Sequence, residues 1–281
     1  MPDPNTVTST SSERVTRVRA LHSRSGRRKA GQFIVEGPQS VASALRGRIR
    51  VRDLFVDEES GTAFAGLVSI AESAGVRTTW VSSAVMAAIA ETQHPQGLLA
   101  LCDLLPTGDL DVVMAAPGPI LVLESVSDPG NVGTIIRTAD AAGAAAVVLT
   151  PESADVHGGK VVRSTAGSLF HLPVLAEREL DEIVFAARAA HRQVAVATGD
   201  GHVSLFVAAD GGLVTDRTCW IIGSEAHGVS LEARAAADVS IAIPMTGHAE
   251  SLNAAVSASV VLYVTRHAES RLGRDGGRMT D

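Results

Sequence analysis

From residue 120 onward the chain repeatedly sets a short apolar run beside an alanine-rich amphipathic stretch. "ILVLESV" (120–126) precedes "VGTIIRTADAAG", "AAVVLT" precedes "KVVRSTAGSLF", and "HLPVL" precedes "LDEIVFAARAAH". "QVAVAT", "CWIIGSE", "SLEARAAA" and "VSIAIP" continue the alternation up to a final helix beginning "SLNAAVSASVVLYV". Strands that are apolar throughout need cover on both faces, so this pattern predicts a parallel sheet flanked by helices. Ligands of such sheets bind beyond the carboxyl ends of the strands.

Upstream, "QFIVEGPQSVASAL", "VRDLFVD", "GLVSIAESAG", "VRTTWVS" and "GLLALCDLL" read as a smaller α/β domain. Pro and Gly gather at both ends of "PTGDLDVVMAAPGP" (106–119), which reads as a linker. The expected organisation is a disordered start over 1–12, the smaller α/β domain over 13–105, the linker over 106–119, the larger α/β domain over 120–270 and a flexible tail over 271–281. A length of 281 residues suits two domains.

The net charge of −7 is unevenly spread. Residues 13–52 contain 11 Lys and Arg against Glu13 and Glu36, a local balance of +9, which leaves −16 for the rest. A basic segment on an acidic protein is a polyanion-binding signal, and Arg24, Arg27, Arg28 and Lys29 form its densest cluster. An arginine-rich solvated surface gives the same composition. Cys102 and Cys219 sit singly among apolar residues, outside any metal-ligand spacing, and read as small buried hydrophobes. The N-terminus lacks the architecture of a secretory signal, an expectation of the cytoplasm.

Three polar loops follow predicted strands. In "DPGNVGTIIR", Asn131 is placed to cap the helix, Gly133 to admit close approach, and Arg137 to reach back toward the strand end. In "IIGSEAHGVS", Gly223 and Gly228 bracket Glu225. In "IPMTGHAESLN", the polar residues Thr246, His248, Glu250, Ser251 and Asn253 crowd between a strand and a helix. Singly, each loop is also explained by a turn or a helix cap. Competing chemistries fail on spacing. "GDGHVS" lacks the last glycine of a dinucleotide fingerprint, Lys160 is followed by Val161 and so makes no phosphate loop, and no serine has a nucleophile-elbow context. No metal site is expected.

Together, "NVGTIIR", "IIGSEAHGVS" and "IPMTGHAESLN" resemble, in order, the three signature motifs of the SpoU/TrmH branch of the SPOUT RNA methyltransferases. "KVVRSTAGSLFHLPV" resembles that family's additional arginine-containing segment, with Arg163, and "RRKAGQFIVEGPQSV" resembles the substrate-binding domain found upstream in many members. The departures are small: Ser257 and Ala258 stand where many members carry other small residues, and "RSTAGS" varies the second arginine motif.

The resemblance implies an α/β fold whose parallel sheet carries a deep trefoil knot, preceded by a ribosomal-protein-like RNA-binding domain. It implies S-adenosylmethionine as cofactor, bent over backbone contacts at Gly223, Ile243 and Leu252, with Thr198 and Met245 near its adenosine. The reaction implied is methyl transfer to a ribose 2′-hydroxyl, with Arg137, Asn131, Glu225, Ser251 and Asn253 as catalytic and substrate-positioning residues. Arg137 has been proposed as a base in this family. Because a guanidinium stays protonated, phosphate binding and alkoxide stabilisation suit it better. The RNA partner implied is 23S rRNA, with a tRNA methyltransferase and a non-catalytic knotted RNA-binding protein as alternatives. The resemblance also implies a homodimer built on the final helix, whose small residues Ala254, Ala255, Ser257, Ala258 and Ser259 would let a partner helix approach closely.

Overall fold

The computed structural model describes residues 6–47, 49–224 and 226–276. The chain divides into two compact units, Met1–Pro106 with Asp155–His171, and Thr107–Ala154 with Leu172–Asp281.

The first unit starts with α1 (Glu13–Ala20) and α2 (Arg24–Ala30), the latter capped by Ser23 and stopped by Gly31 at φ 66°. Then come β1 (Gln32–Glu36), α3 (Pro38–Arg46), β2 (Val51–Asp57), α4 (Ala65–Ser73), β3 (Arg77–Val81), α5 (Ser83–Ile89) and β4 (Leu98–Asp103). The sheet order is β1-β4-β2-β3, with β4 antiparallel to both neighbours and β2 parallel to β3. One core gathers Val15, Val18 and Leu21 against Phe55, Leu99 and Leu101 of the sheet. Residues 6–12 are ordered, which corrects the expectation of disorder there: the Val7 N–H donates to Trp80 O at 2.9 Å and Val7 O accepts from Ser82 N at 3.1 Å. Residues 1–5 lie outside the described residues.

The second unit opens on α6 (Leu110–Ala115), so the Pro- and Gly-bounded stretch read as a linker contains a helix, capped by Asp109. It continues with β5 (Ile120–Leu123), α7 (Pro129–Ala141) and β6 (Ala146–Leu149). The chain then contributes Asp155–His171, including α8 (Gly159–Ser164), to the first unit. There Phe33 stacks on Phe170, ring centres 6.5 Å apart, and meets His157 edge-on at 5.0 Å. "KVVRSTAGSLF", one helix by its sequence pattern, breaks after Ser164, where Ala166 and Gly167 take φ of 50° and 100°. A Cβ at Gly167 would lie 2.4 Å from Ser43 Oγ, so close packing against α3 sets the break.

Back in the second unit follow β7 (Val174–Leu175), α9 (Leu180–Ala189), β8 (Gln193–Ala197), β9 (Val203–Ser204), α10 (Leu205–Asp210), β10 (Thr218–Ile222), α11 (Leu231–Ala236), β11 (Val239–Ala242) and α12 (Ala254–Gly276). The sheet is parallel throughout, in the order β7-β6-β5-β10-β8-β11-β9. The sequence pattern missed β9 and α10, because two half-buried strand residues and a single helical turn and a half carry no measurable period. Residues 271–276 continue α12 rather than forming a tail, and 277–281 lie outside the described residues.

Two buried polar groups tie the second unit together. Arg192, 3% exposed, donates to the carbonyls of Met114 at 2.7 Å, Gly118 at 2.9 Å and Asp216 at 3.2 Å, and to that of Ala116. A buried guanidinium is tolerated because its donors are spent on backbone carbonyls, three of them at or just beyond the end of α6 and one just before β10. Trp220, fully buried in β10, donates from Nε1 to Thr265 Oγ1 on α12 at 3.2 Å. Thr138 of α7 and Ser259 of α12 meet at 3.3 Å. Ala254, Ala255 and Ala258 are buried within this chain, so they serve internal packing, in contrast to the intersubunit role expected of them. Cys102 and Cys219 are buried free thiols, both pushed up to about 12 by burial, and are inert at neutral pH. Among the described residues no helix is long and apolar enough to cross a membrane.

Candidate functional site

β5, β10, β8 and β11 are consecutive neighbours in the sheet, so the loops leaving their carboxyl ends emerge side by side. The loop after β10 doubles back on itself. Ser224 and Gly228 form an isolated bridge, with Gly228 N donating to Ser224 O at 2.8 Å. A Cβ at Gly223 would meet the Gly228 carbonyl at 2.1 Å, and Gly228 has φ 65°, so neither position tolerates a side chain without moving the loop. Glu124, 7% exposed at the end of β5, accepts from Ser230 N at 2.9 Å and from its hydroxyl at 2.5 Å. Ser230 in turn caps α11 through Ala233 N. The buried carboxylate therefore fixes this loop to the neighbouring strand, a role the sequence pattern did not reveal.

These loops enclose a cavity of about 210 Å³. Thr198, Gly223, Ile243, Met245 and Leu252, the expected cofactor contacts, all line it, and Ser251 joins them. Arg234 and Glu250 also line it, and neither was singled out as a cofactor contact. Arg234 reaches the cavity from α11, where it reads in sequence as an ordinary helical surface arginine. Its guanidinium donates to both carboxylate oxygens of Asp200 at 2.8 and 2.9 Å, to Thr198 Oγ1 at 2.9 Å and to Val229 O at 3.3 Å.

Beside the cavity, Asn253 and Asn131 meet across 122 residues of sequence, Asn253 Nδ2 donating to Asn131 Oδ1 at 3.0 Å. Asn131 does not cap α7, as its position suggested. Asp128 does, accepting from Asn131 N at 2.8 Å, because the helix starts at Pro129, whose fixed φ suits a first helical position. That shift places Asn131 inside the first turn. Asn253 Oδ1 accepts from Ala255 N at 2.9 Å, so one side chain both caps α12 and bridges to α7. Arg137 lies six residues beyond Asn131, about 9 Å along the axis; it is exposed, and among the described residues it makes no hydrogen bond or ion pair. Glu225 lies outside the described residues.

The basic residues of the first unit divide. Arg24, Arg28 and Lys29 are exposed on α2. Arg27 is 6% exposed, which corrects its reading as a phosphate contact: it donates to Leu21 O and His22 O at 2.9 and 3.0 Å and pairs with Asp155 at 2.6 Å. Burial alone would raise the Asp155 carboxyl, but hydrogen bonds from His157 and Arg27 outweigh it and hold the group well below the usual carboxylate range. Arg163 is likewise engaged, 3.3 Å from Glu91 and 3.7 Å from Glu36. A groove of about 700 Å³ runs by α1 and the end of α2, rimmed by Arg14, Arg17, Lys29 and Arg77. Arg17 pairs with Glu13 and Arg77 with Asp53, while Arg14 donates to Thr79 Oγ1 at 3.2 Å.

Comparison with known proteins adds three findings. Residues 118–263 match the model of the SpoU rRNA Methylase family, and residues 12–100 match an MRM3-like substrate binding domain. The chain is 32% identical over 263 residues to the 23S rRNA (guanosine(2553)-2′-O)-methyltransferase RlmP of Bacillus subtilis, covering 92% of this chain and 98% of that protein. It is 33% identical over 250 residues to the 23S rRNA (uridine(2479)-2′-O)-methyltransferase of Streptomyces viridochromogenes, covering 86% and 85%. Among solved structures, an AdoMet-bound rRNA methyltransferase from Sinorhizobium meliloti superposes with a TM-score of 0.82 at 27% identity, over 93% of this chain and 97% of that one.

The double duty of Asn253 can be separated. Asn253→Ala should lower stability by about 1 kcal/mol through the lost cap, whereas Asn253→Ser, which caps but is too short to reach Asn131, should stay within about 0.5 kcal/mol of the parent. Urea unfolding measures both, and equal losses would show that capping is not what Asn253 contributes to stability.

Proposed function

The chain belongs to the SpoU rRNA methylase family, and from that membership we propose that it is an S-adenosylmethionine-dependent methyltransferase acting on a ribose 2′-hydroxyl of 23S rRNA. The observation that carries the reading is the convergence of Thr198, Gly223, Ile243, Met245 and Leu252 on one cavity, with the Asn131–Asn253 bond beside it. The cavity suits the cofactor chemically: a side-chain-free wall at Gly223 for backbone contact, apolar flanks at Ile222, Ile243 and Leu252 for a purine, and polar groups at Thr198, Arg234 and Glu250. A tRNA substrate is less well supported, because residues 12–100 match a substrate-binding domain and the similar proteins named above are rRNA methyltransferases. A binding-only protein would not need the polar set that these loops retain.

When bound, the cofactor supplies a methyl group on a sulfonium, whose departure needs no acid. The remaining difficulty is the hydroxyl, which is weakly acidic and must be held in line as it loses its proton. Arg137 is suited to bind the adjoining phosphate and to stabilise the oxygen as negative charge develops on it, since a guanidinium offers fixed donors and, among the described residues, no internal partner engages this one. Asn131 and Asn253 hold the first and third loops together. Ser251 and Glu225 are assigned to substrate positioning from the family motifs they match.

Three further parts of this reading follow. The trefoil knot expected of the family is placed at the loops after β10 and β11; β10 lying between β5 and β8, and both loops meeting at one cavity, support it. The homodimer is placed on α12 and α10, where Phe206, Val207, Val256 and Tyr263 leave apolar side chains 46–66% exposed. RNA capture is placed on the first unit, at the groove rimmed by Arg14 and Lys29 and on the exposed face of α2. A cytoplasmic location belongs to the same reading and is supported by the rRNA substrate proposed.

Incubating 23S rRNA or ribosomal particles with labelled cofactor and mapping the modified ribose tests the activity, and no transfer to either would overturn it. Arg137→Ala should reduce transfer by at least about a hundredfold, the scale on which a lost alkoxide-stabilising donor acts, while calorimetric cofactor affinity stays within about twofold. Undiminished turnover would remove Arg137 from the mechanism. Neutralising Arg24, Arg28 and Lys29 together should flatten the slope of log affinity against log salt by about two, at roughly 0.7 per phosphate contact to single-stranded RNA; an unchanged slope would leave α2 a solvated surface. Light scattering should give twice the 29.0 kDa chain mass, and a fully active monomer would rule out the dimer.

A further inference from the structure

The cavity assigned to the cofactor holds a fixed positive charge in its wall, a poor neighbour for a sulfonium. Arg234 and Glu250 are the charged side chains lining it among the described residues. The guanidinium of Arg234 is clamped by Asp200, with Nη1 at 2.8 and 2.9 Å from the two carboxylate oxygens. The pair is half open to solvent, Arg234 being 34% and Asp200 71% exposed at the side chain, so it is a poor candidate for a stabilising salt bridge. Its position is more informative. Asp200 belongs to the loop after β8, Arg234 to α11, and the same guanidinium also holds Thr198 Oγ1 at 2.9 Å and Val229 O at 3.3 Å, so it joins the loops leaving β8 and β10. Gly201, next to Asp200, is pressed against the end of β11, from which the third loop leaves: a Cβ there would lie 2.4 Å from Ala242 N.

We propose that Asp200 cancels the charge of Arg234, leaving Glu250 to set the sign of the cavity, so that the site favours the sulfonium donor over its uncharged thioether product. This inference rests on the methyl-transfer reading and deepens it: Asp200, which that reading does not use, and Arg234, so far only a polar group of the cavity wall, gain a specificity-determining role. S-adenosylmethionine and S-adenosylhomocysteine share adenosine, amine and carboxylate and differ at sulfur by a methyl group and one positive charge. A pocket whose net charge is negative holds the donor by attraction and loses that attraction once the methyl has left. Hydrogen bonds from Thr198 and then Arg234 lower the Asp200 pKa, so its carboxylate is ionised at neutral pH. Without Asp200 the guanidinium is still held by Thr198 Oγ1 and Val229 O, and its uncancelled charge acts equally on the groups the two ligands share, so what separates them is repulsion of the sulfonium.

The test is isothermal calorimetry of both ligands against the full-length protein, as parent, Asp200→Asn, Arg234→Gln and the double variant. Asp200→Asn should weaken S-adenosylmethionine about fivefold while S-adenosylhomocysteine changes less than about twofold, and high salt should shrink the difference, as expected of a screened through-space interaction. Arg234→Gln should shift the ratio of the two affinities the other way, toward the donor, and the double variant should restore the parent ratio. A latch that merely positions the loop would lower both affinities by one factor, and that result, or an unchanged ratio in Asp200→Asn, overturns the proposal. Should Asp200→Asn fail to fold, the ratio in Arg234→Gln decides alone. A parent protein that binds neither ligand would instead overturn the methyl-transfer reading itself.

Discussion

A strand buried on both faces has no side chain to spare for chemistry. Every residue of β10, Thr218–Ile222, is buried, and its hydrogen-bonding edges are consumed by β5 on one side and β8 on the other. The same holds for β5, whose four residues are all buried. Function in such a sheet is pushed to the strand ends, and because the ladder is parallel, the ends of β5, β10, β8 and β11 that lead into loops lie on one edge. The site therefore draws on residues from 131 to 253, carried by the loops that follow four separate strands. What the sheet does not supply is the spacing between loops, and that comes from a few polar contacts: Glu124 to Ser230, Asn253 to Asn131, and Arg234 to Asp200.

How far the site could be read from sequence depended on whether a residue's role is local. Strand and helix alternation, the position of each loop and the small-residue requirement at Gly223 are local properties, and they were legible. Asn131 was misread because two adjacent residues can cap a helix and only the start at Pro129 decides between them. Arg27 shows the limit in the other direction. Its charge counts toward the +9 of residues 13–52, yet its partner Asp155 lies 128 residues away, and nothing in the local pattern separates a buried arginine from its exposed neighbours Arg28 and Lys29. Arg234 and Asp200 were invisible for the same reason. Each is unremarkable where it stands, and the pair exists only once α11 and the loop after β8 are packed.

The boundary between the two units escaped for a different reason. A stretch rich in Pro and Gly marks where a chain turns, and 106–119 does turn, but it also contains a helix whose end is fixed by Arg192. The segment that joins the first unit, Asp155–His171, carries no compositional mark at all. It is assigned by what it covers: Phe33, through Phe170 and His157, and Arg27, through Asp155.

That late return has a bearing on how the protein comes off the ribosome. Residues 1–106 emerge first, with all four strands of their sheet, but Phe33 and the guanidinium of Arg27 must wait for residues 155–171 before they are covered and paired. By then β5, α7 and β6 have also been made. The first unit is thus not a cassette that can finish folding before its neighbour begins. A nascent chain paused between residues 106 and 155 would present an uncovered aromatic and an arginine still without its carboxylate partner, and the exposed apolar surface is of the kind that chaperones bind.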